Sequence, residues 1–324
     1  MDWKEEFVAI LARKEENALQ KALCMKRPNL PRFLYRYRPL ASQRNFDNVL
    51  SEIKEAKIYL ANPKDFNDPF EGCSILRKED IKGSEELKIA YIKMFNEFIP
   101  NEILSNVFEK DNWIELFNSY MAERINEIDG VPIEDARKQV EVMSWRAFEA
   151  INKKINETIQ CYVRIACFTE SHINLPMWNH YADSHQGICL EYDLTSINDK
   201  YIVDRMFPVL YKFALPNGVE TYLNRTVNVN NLAEYMLVHK LKDWEYEKEW
   251  RLILSLYNWH FTEESISPKD LECGKILDFV KPSKIYMGYR IGKACEELIR
   301  SVGEECNIEV YKMEKTEYGL RPGC

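Results

Sequence analysis

The chain contains 324 residues, of which 46% are hydrophobic and 30% are charged, and it carries a formal net charge of −8. A chain of this size can bury a substantial core, so the composition predicts a folded protein of one large domain or two ordinary ones. The acidic balance excludes a general electrostatic attraction to nucleic acid, although a local basic patch at residues 27–38 leaves such a contact open.

The location of the protein is predicted from its apolar runs and its cysteines. No run approaches the ~20 apolar residues of a membrane-spanning helix, and the N-terminus is too charged for a signal peptide. The nine cysteines are scattered without a CxxC pair, which favours a reducing compartment over a disulfide framework. We therefore expect a cytoplasmic protein without a membrane partner.

The first elements are predicted in the order helix, strand, helix, strand and loop. Residues 1–25 place apolar side chains at helical spacing, and Pro28 ends this helix. Residues 33–40 alternate as a strand does, the stretch after them has helical spacing, and the next strand ends at Pro63. Residues 1–30 are thus expected to form an N-terminal helical appendage.

The rest of the chain combines a helical stretch with several short strands. From about residue 78 to 160, apolar residues recur at steps of three and four among charges, which predicts a large helical insertion. The expected fold class is α+β, with a mixed or antiparallel sheet core and residues 31–324 as one domain that carries the insertion. Aliphatic and aromatic runs predict the later strands over residues 163–170, 186–194, 207–213, 251–257 and 284–290.

Two arginines alternate with two tyrosines in the first predicted strand. Arg36 and Arg38 share one face of this strand, and Tyr35 and Tyr37 share the other. The planar guanidinium matches phosphate or carboxylate, so such a pair inside a cleft would hold a diphosphate. An exposed strand face with ordinary ion pairs explains the same residues, and composition alone favours it.

Residues 62–72 form a loop that is rich in prolines and turn formers. A rigid turn after a strand explains most of this composition. In a second interpretation Asp65, Asp68 and Glu71 collect a hard cation, which prefers oxygen ligands, although their spacing matches no EF-hand. The turn is the simpler interpretation, and we expect no metal.

A segment with several histidines, residues 167–192, joins two predicted strands through a short helix. His180 and His185 are five residues apart, one more than two zinc ligands on the same helical face would need. A hydrogen-bonded structural histidine is therefore the simpler interpretation. Cys167 ends the preceding strand and is a conceivable nucleophile, but a buried cysteine usually behaves as a small hydrophobic residue.

Three glutamates alternate within residues 244–254, directly before an apolar run. On a strand, Glu245, Glu247 and Glu249 would share one face, where like charges cost stability unless they are solvated or used. A charged edge strand explains them without any chemistry. As a site, one carboxylate of the pair Glu247 and Glu249 would orient a hydroxyl and the other would polarise an acceptor, with their pKa values separated by mutual repulsion.

These four segments, in this order, resemble the bacterial family known as domain of unknown function 2971. The resemblance rests on YRYRPL, IYLANPKDFNDPFEG, CFTES with MWNHYADSHQG, and WEYEKEWR, which extend from residue 35 to residue 251. That family name implies no activity.

The same residue types resemble, more loosely, the ADP-ribosyltransferase superfamily, in which Arg, then Ser or Thr, then Glu-x-Glu follow on successive strands. The resemblance implies a split-sheet fold and NAD as the substrate. It implies that Arg36 or Arg38 holds the diphosphate or ribose of NAD. Thr169 would then stand where that superfamily commonly has serine.

The resemblance further implies that Glu249 stabilises the oxocarbenium ion that develops on the ribose, while Glu247 positions the acceptor. Tyr181 would stack on nicotinamide, and Trp178 would form part of the wall of the pocket. His180 would be among the residues that contact the cofactor. The implied function is an NAD-using, ADP-ribosyltransferase-like enzyme of phage defence or a toxin system, with an unidentified acceptor.

Two other classes of protein stay open at this point. A non-catalytic sensor or interaction protein of a defence system would use the same segments to build a ligand pocket or a core. A metal-dependent nuclease or phosphodiesterase would use as oxygen ligands Asp65, Asp68, Glu71, Glu247 and Glu249.

Overall fold

The computed structural model describes residues 2–82, 84–95, 99–223, 227, 231–256 and 273–323. The α-helices of these residues are α1 (Trp3–Ala12), α2 (Ala18–Lys26), α3 (Gln43–Lys54), α4 (Lys78–Lys82), α5 (Glu85–Phe95), α6 (Asn101–Phe108), α7 (Trp113–Asp129), α8 (Ile133–Tyr162), α9 (Leu175–Tyr181), α10 (Lys200–Asp204), α11 (Leu232–Leu237) and α12 (Lys293–Cys306). Shorter 3₁₀ segments are Arg27–Asn29, Pro63–Asp65, Leu194–Ser196 and Lys242–Glu247, and a π-helical turn covers Val219–Leu223.

The strands are β1 (Phe33–Arg38), β2 (Lys57–Leu60), β3 (Val163–Thr169), β4 (Ile188–Asp193), β5 (Met206–Pro208), β6 (Leu210–Lys212), β7 (His239–Leu241), β8 (Glu249–Ser255), β9 (Lys275–Asp278), β10 (Lys284–Met287), β11 (Glu309–Thr316) and β12 (Gly319–Pro322). Eight of them form one sheet in the order β12-β11-β10-β4-β1-β3-β8-β5, while β2 pairs with β9 and β6 pairs with β7. Within the large sheet β10 and β11 are parallel and the other pairs are antiparallel. The prediction of an α+β fold with a mixed sheet is confirmed.

The two faces of the large sheet bury different side chains because successive residues of a strand point to opposite sides. On one face, Leu34 of β1 and Leu190 of β4 pack with the buried residues Val49 and Ile53 of α3. On the other face, Tyr37 of β1 packs with Cys189 and with residues of α9. The sheet is thus covered on both sides where β1 lies, which places β1 in the interior.

The N-terminal segment is a pair of helices rather than the single helix predicted over residues 1–25. α1 begins at the N-cap Asp2, whose side chain accepts a hydrogen bond from Lys4 N, and it ends at Ala12. Its apolar side packs against β5, since the buried Phe7 ring lies 6.2 Å from that of Phe207. Periodicity alone missed the break because both helices present an apolar face to the same core cluster.

Two other strand predictions are corrected by the structure. The run 207–213 is not one strand, because β5 joins the large sheet at β8 whereas β6 pairs with β7. Residues 242–247 form a 3₁₀ segment, and Lys248 adopts a left-handed φ of 45° before β8 begins at Glu249. The three glutamates therefore do not share one strand face, and the last residue of the run predicted over 251–257 lies outside the described residues.

The predicted helical insertion corresponds to the helices from α4 to α8. These helices build their own apolar cluster, in which Trp113, Phe117 and Phe148 are buried. α8 then leads directly into β3, so the insertion separates β2 from β3 in the chain. The division of the chain into an appendage and a single domain stays a prediction. Within the described residues, no helix combines the length and the apolar character needed to cross a membrane.

β1 and β3 diverge in the middle of the large sheet. They share one registered pair, Tyr35 opposite Thr169, whereas β1 pairs with β4 over six residues and β3 with β8 over seven. Beyond that pair, Ala61 rather than β1 bridges to β3, at Ile165. The divergence leaves a gap in the sheet that main-chain pairing does not fill.

Candidate functional site

A cavity of about 410 Å³ opens where β1 and β3 diverge. Residues from β1, from the segment after β2, from β3, from α9 and from the start of β8 line it. Its size falls within the range of small-molecule pockets. Seven of the eight site residues predicted from the sequence line this cavity: Arg36, Arg38, Thr169, His180, Tyr181, Glu247 and Glu249.

Trp178 is the predicted site residue that the structure places elsewhere. Its side chain is fully buried in the apolar cluster beside β1, where its ring lies edge-on to Tyr37 with centroids 5.1 Å apart. Its indole nitrogen donates a hydrogen bond to His172 O at 2.8 Å. Trp178 therefore supports α9 from within the core and does not line the cavity.

The two arginines of β1 differ in how far their hydrogen-bonding capacity is used. Arg36 donates to Glu52 Oε1 at 3.1 Å and to the backbone oxygen of Tyr59 at 2.9 Å. Arg38 Nε lies 3.3 Å from the same Glu52 oxygen without forming a hydrogen bond to it. Within the described residues the Arg38 side chain donates no hydrogen bond, so all of its donors are available to a ligand, whereas Arg36 uses two of its own.

Burial lowers the pKa of Arg38 from its ordinary value, because desolvation of the guanidinium outweighs the attraction of Glu52. A buried guanidinium with incomplete compensation favours the arrival of an anion, which would restore its electrostatic balance. Arg38 is therefore a candidate position for an anionic group of a ligand.

Glu52 is the shared counter-ion of the two arginines, and it was not among the site residues predicted from the sequence. It lies on α3 between the buried residues Val49 and Ile53 and is itself only 1% exposed. Tyr192 also donates to it, at 3.1 Å. A signal was present in the sequence, because a glutamate within the apolar stripe of an amphipathic helix requires a buried partner.

The acidic end of the cavity is the part lined by Glu247 and by Glu249, the first residue of β8. Arg251 binds both oxygens of this carboxylate, through Nε at 2.9 Å and Nη2 at 3.0 Å. Lys240 Nζ lies 3.2 Å from Glu249 Oε2. Burial opposes ionisation of Glu249, but Arg251 and Lys240 outweigh it and lower the pKa to about 2. Both oxygens of Glu249 are therefore engaged by cations.

Glu247, on the 3₁₀ segment before β8, has one carboxylate oxygen bound by a cation and the other bound by a neutral hydroxyl. Its Oε2 accepts a hydrogen bond from Lys240 at 2.6 Å, and its Oε1 accepts one from the hydroxyl of Tyr181 at 2.6 Å. Burial and the neighbouring Glu249 carboxylate raise the pKa of Glu247 above its ordinary value. The neutral hydroxyl of Tyr181 is the partner that a ligand group can replace most easily.

The lysine and arginine that organise this end were not anticipated from the sequence. Arg251 also binds Glu71 through both Nη atoms, with Nη2 to Oε2 at 2.9 Å, and it is fully buried. Lys240 lies on the short strand β7, which contains too few residues to show a pattern. A charged residue within the apolar run RLILS was the available signal, since a buried arginine needs acidic partners.

Thr169 and His180 line the cavity with side chains that also hold its walls together. The Thr169 hydroxyl donates to the backbone oxygen of Glu247 at 2.5 Å, which ties the 3₁₀ segment to the end of β3. His180 Nδ1 lies 3.0 Å from the hydroxyl of Tyr246 on the same segment. Both residues thus help to position Glu247.

Cys167 also lines the cavity, next to Glu249. Burial raises the pKa of its thiol well above the ordinary value, and the Glu249 carboxylate raises it further. A thiol that stays protonated is a poor nucleophile, because the thiolate is the reactive form.

The carboxylates proposed as metal ligands do not form a shared site. Glu71 and Glu249 bind Arg251, and Glu247 binds Lys240. Asp68 Oδ1 accepts a hydrogen bond from Phe70 N at 2.9 Å within its own loop. Among the residues that the structure describes, no group of three His, Cys, Asp or Glu side chains is placed to hold a metal ion.

The segment that follows α9 is strained and closely packed against β1. Asp183, Ser184 and His185 all adopt positive φ angles, of 50°, 51° and 71°. A Cβ atom on Gly187 would lie 2.3 Å from the backbone oxygen of Arg38, and one on Gly288 would lie 2.0 Å from that of His185. The sequence ADSHQG therefore fixes the end of α9 against the strand that carries Arg38.

Comparison with known protein families gives one match, which covers part of this site. The family model described as "Protein of unknown function (DUF2971)" matches residues 177–252, just under a quarter of the chain. This segment runs from α9 through β8 and contains Tyr181, Lys240, Glu247 and Glu249. The match supports the resemblance to this family over that segment. No curated protein and no solved structure matches the chain.

Proposed function

We propose that this protein is an NAD-using enzyme of the ADP-ribosyltransferase type, which cleaves the bond between nicotinamide and ribose. The observation that carries the proposal is that one cavity is lined both by the two arginines of β1 and by the carboxylates of Glu247 and Glu249. At the β1 end Arg36 and Arg38 face the single carboxylate of Glu52, which leaves one formal positive charge. This end suits the diphosphate of a dinucleotide.

The acidic end of the cavity has more formal negative charges than positive ones. Three carboxylates, those of Glu71, Glu247 and Glu249, are compensated by the two cations Lys240 and Arg251. One formal negative charge therefore remains when all five groups are ionised. NAD presents anionic phosphates at its centre and a cationic pyridinium ring at one end, so a cavity of this polarity would orient it.

The wall of the cavity supplies flat surfaces for the rings of such a ligand. Aromatic side chains have π-faces on which a nicotinamide or adenine ring would stack, and they exclude water from the site. The aromatic residues of the lining are Tyr35, Tyr37, Tyr59, Phe66, Phe168, His180 and Tyr181.

The chemistry proposed for the acidic end is electrostatic. As the glycosidic bond breaks, positive charge grows on the ribose while nicotinamide departs as a neutral molecule. A fixed carboxylate in a site shielded from water stabilises that charge more in the transition state than in the ground state. No step in this scheme uses a metal ion.

We assign the carboxylate that meets the ribose to Glu247 rather than to Glu249, which the superfamily resemblance implied. Both oxygens of Glu249 are bound by Arg251 and Lys240, whereas Glu247 Oε1 is held only by the Tyr181 hydroxyl. A ribose hydroxyl that displaces Tyr181 would donate the same hydrogen bond. Glu249 then serves to hold Arg251 and Lys240 in place.

The test is the release of nicotinamide from NAD by the purified full-length chain, with and without a chelator and with candidate acceptors. We expect release that is insensitive to the chelator, that Glu247→Gln lowers strongly, and that Arg38→Gln lowers at limiting NAD. Glu245→Gln is the matched control, because Glu245 is exposed and, among the residues that the structure describes, pairs only with Lys242. Binding of NAD without release of nicotinamide would support a non-catalytic sensor. The absence of both binding and release would overturn the proposal.

The biological setting stays a prediction from the sequence. A role in phage defence or in a toxin system is consistent with an NAD-consuming activity, and the acceptor would be identified by supplying labelled NAD together with cell extract.

A further inference from the structure

Lys64 and Cys161 come into direct contact at the border of the cavity. Lys64 Nζ lies 3.0 Å from Cys161 Sγ, although 97 residues separate them in the chain. Lys64 belongs to the 3₁₀ segment Pro63–Asp65, and Cys161 belongs to the last turn of α8. The contact therefore joins the loop after β2 to the helix that leads into β3.

The backbone on each side of this contact is fixed by its own hydrogen bonds. The side chain of Asn62 accepts a hydrogen bond from Lys64 N at 3.1 Å. The backbone oxygen of Cys161 accepts one from Arg164 Nη1 at 2.9 Å. The backbones that carry the amine and the thiol are thus held near each other by the fold, and both groups are reachable from solvent because Lys64 is exposed and Cys161 is half-buried.

The chemistry of the partner distinguishes Cys161 from the other cysteines. Within the described residues, Cys24 and Cys73 also accept side-chain hydrogen bonds, at 3.8 Å and 3.6 Å, but from the amide nitrogens of Gln20 and Gln160. An amide nitrogen is a poor nucleophile, whereas a neutral lysine amine attacks electrophilic sulfur readily. Cys161 is the described cysteine whose sulfur has an amine beside it.

We propose that Lys64 and Cys161 are a site of oxidative modification at which a peroxide produces a covalent cross-link between the two side chains. In the first step the Cys161 thiolate attacks hydrogen peroxide, a sulfur–oxygen bond forms, the oxygen–oxygen bond breaks, and hydroxide leaves and takes up the proton that the thiol released to become water. Sulfur is oxidised by two electrons and the peroxide is reduced by two. The product is a sulfenic acid.

In the second step the lone pair of the neutral Lys64 amine attacks the sulfenic sulfur. A sulfur–nitrogen bond forms, the sulfur–oxygen bond breaks, and the oxygen leaves as water with a proton from the amine. Sulfenic acids undergo the same condensation with thiols and with backbone nitrogen. The resulting sulfenamide is two hydrogen atoms lighter than the reduced pair, and a thiol reductant reverses it.

The cross-link would act on the wall of the cavity. Asp65, Phe66 and Asn67, which follow Lys64, line it, and Asn67 donates to the hydroxyl of Tyr181 at 3.2 Å. Tying Lys64 to α8 would fix this segment relative to β3. The proposal does not depend on NAD being the ligand.

The test is peptide mass spectrometry of the folded, full-length chain after brief exposure to hydrogen peroxide and alkylation of the remaining thiols. We expect a cross-linked peptide pair that contains Lys64 and Cys161, is two hydrogen atoms lighter than the reduced pair, and disappears after treatment with dithiothreitol. Oxidation of Cys161 to sulfenic or sulfinic acid without this peptide pair would overturn the proposal. A sample in which Cys24 is oxidised while Cys161 stays unmodified would also overturn it.

Three variants complete the design. Lys64→Arg keeps the positive charge but removes the nucleophilic amine, so it should lose the cross-link while Cys161 still oxidises. Cys161→Ala should lose both products. Cys24→Ala is the matched control, because Cys24 is an exposed cysteine beside an amide, and it should leave the cross-link unchanged. A cross-link that survives in Lys64→Arg would contradict the assignment.

Discussion

The hydroxyl of Tyr181 donates a hydrogen bond to Glu247 Oε1 at 2.6 Å across the acidic end of the cavity. This contact joins α9 to the segment before β8, two elements that lie 66 residues apart. Of the four carboxylate oxygens of Glu247 and Glu249, Glu247 Oε1 is the one that no cation binds within the described residues. The first prediction follows from this contact.

Glu247→Gln should lower nicotinamide release by about 100-fold or more, because the amide cannot supply the charge that a positioned carboxylate contributes to the transition state. Tyr181→Phe should have a smaller effect, since it removes the competing hydroxyl but keeps the ring. Steady-state release of nicotinamide measures both. Equal loss in the two variants would mean that Tyr181, and not only Glu247, meets the substrate.

Arg36 and Arg38 should respond differently to substitution, although they share one strand face. Arg38→Gln should weaken the binding of NAD with little change in stability, because Arg38 donates no hydrogen bond within the described residues. Arg36→Gln should lower the free energy of unfolding by about 3–5 kcal/mol, because it leaves Glu52 buried with its main partner removed. Calorimetric titration and urea unfolding separate the two effects.

The stability that Glu249 contributes should depend on pH in a defined window. Its pKa is lowered in the folded protein from the ordinary value of 4.5 to about 2. The folded state therefore binds fewer protons than the unfolded state between these values, so the stabilisation is present above pH 4.5 and is lost as the pH falls towards 2.

Urea unfolding of the wild type and of Glu249→Gln at several pH values measures this dependence. The difference in free energy of unfolding between the two proteins should shrink as the pH falls below 4.5. A difference that stays constant over this range would show that Arg251 and Lys240 do not control the ionisation of Glu249.

Two glycines near the ends of the same loop offer a matched test of close packing. Gly288→Ala should lower the free energy of unfolding by about 1–3 kcal/mol, because the added Cβ would lie 2.0 Å from the backbone oxygen of His185. Gly292→Ala should change it little, because no atom lies within 4 Å of the corresponding Cβ. Thermal or urea unfolding compares them, and similar losses in both would argue against the packing explanation.

Lys26 should anchor the N-terminal helices to the sheet. Its buried ammonium group donates to the backbone oxygens of Val203, Asp204 and Met206 at 2.9, 2.8 and 2.7 Å. Lys26→Met should lower the free energy of unfolding by about 3 kcal/mol, because three buried carbonyls lose their donor. Lys21→Met is the control, since Lys21 is half-exposed and pairs with the equally exposed Glu15, and its effect should stay below about 0.5 kcal/mol.

The order of the main elements could be predicted from the sequence, and so could seven of the residues that line the cavity. Alternation in FLYRYR and the periodicity of residues 78–160 are local properties, and a strand or helix forms from them wherever the chain packs. The breaks were harder to foresee, because the left-handed Lys248 and the turn between α1 and α2 interrupt patterns that continue on both sides of them.

Only the tertiary structure decided how the charges of the site are balanced. Glu52 from α3 pairs with the arginines that line the cavity, and Lys240 from β7 and Arg251 from β8 pair with its carboxylates. Their positions also decided that Arg36 uses two of its donors while Arg38 keeps all of its own, and that Glu247 rather than Glu249 has an oxygen held by a neutral group. The physical reason is that the ionisation and hydrogen bonding of a buried group depend on which charges the fold brings within a few ångströms of it.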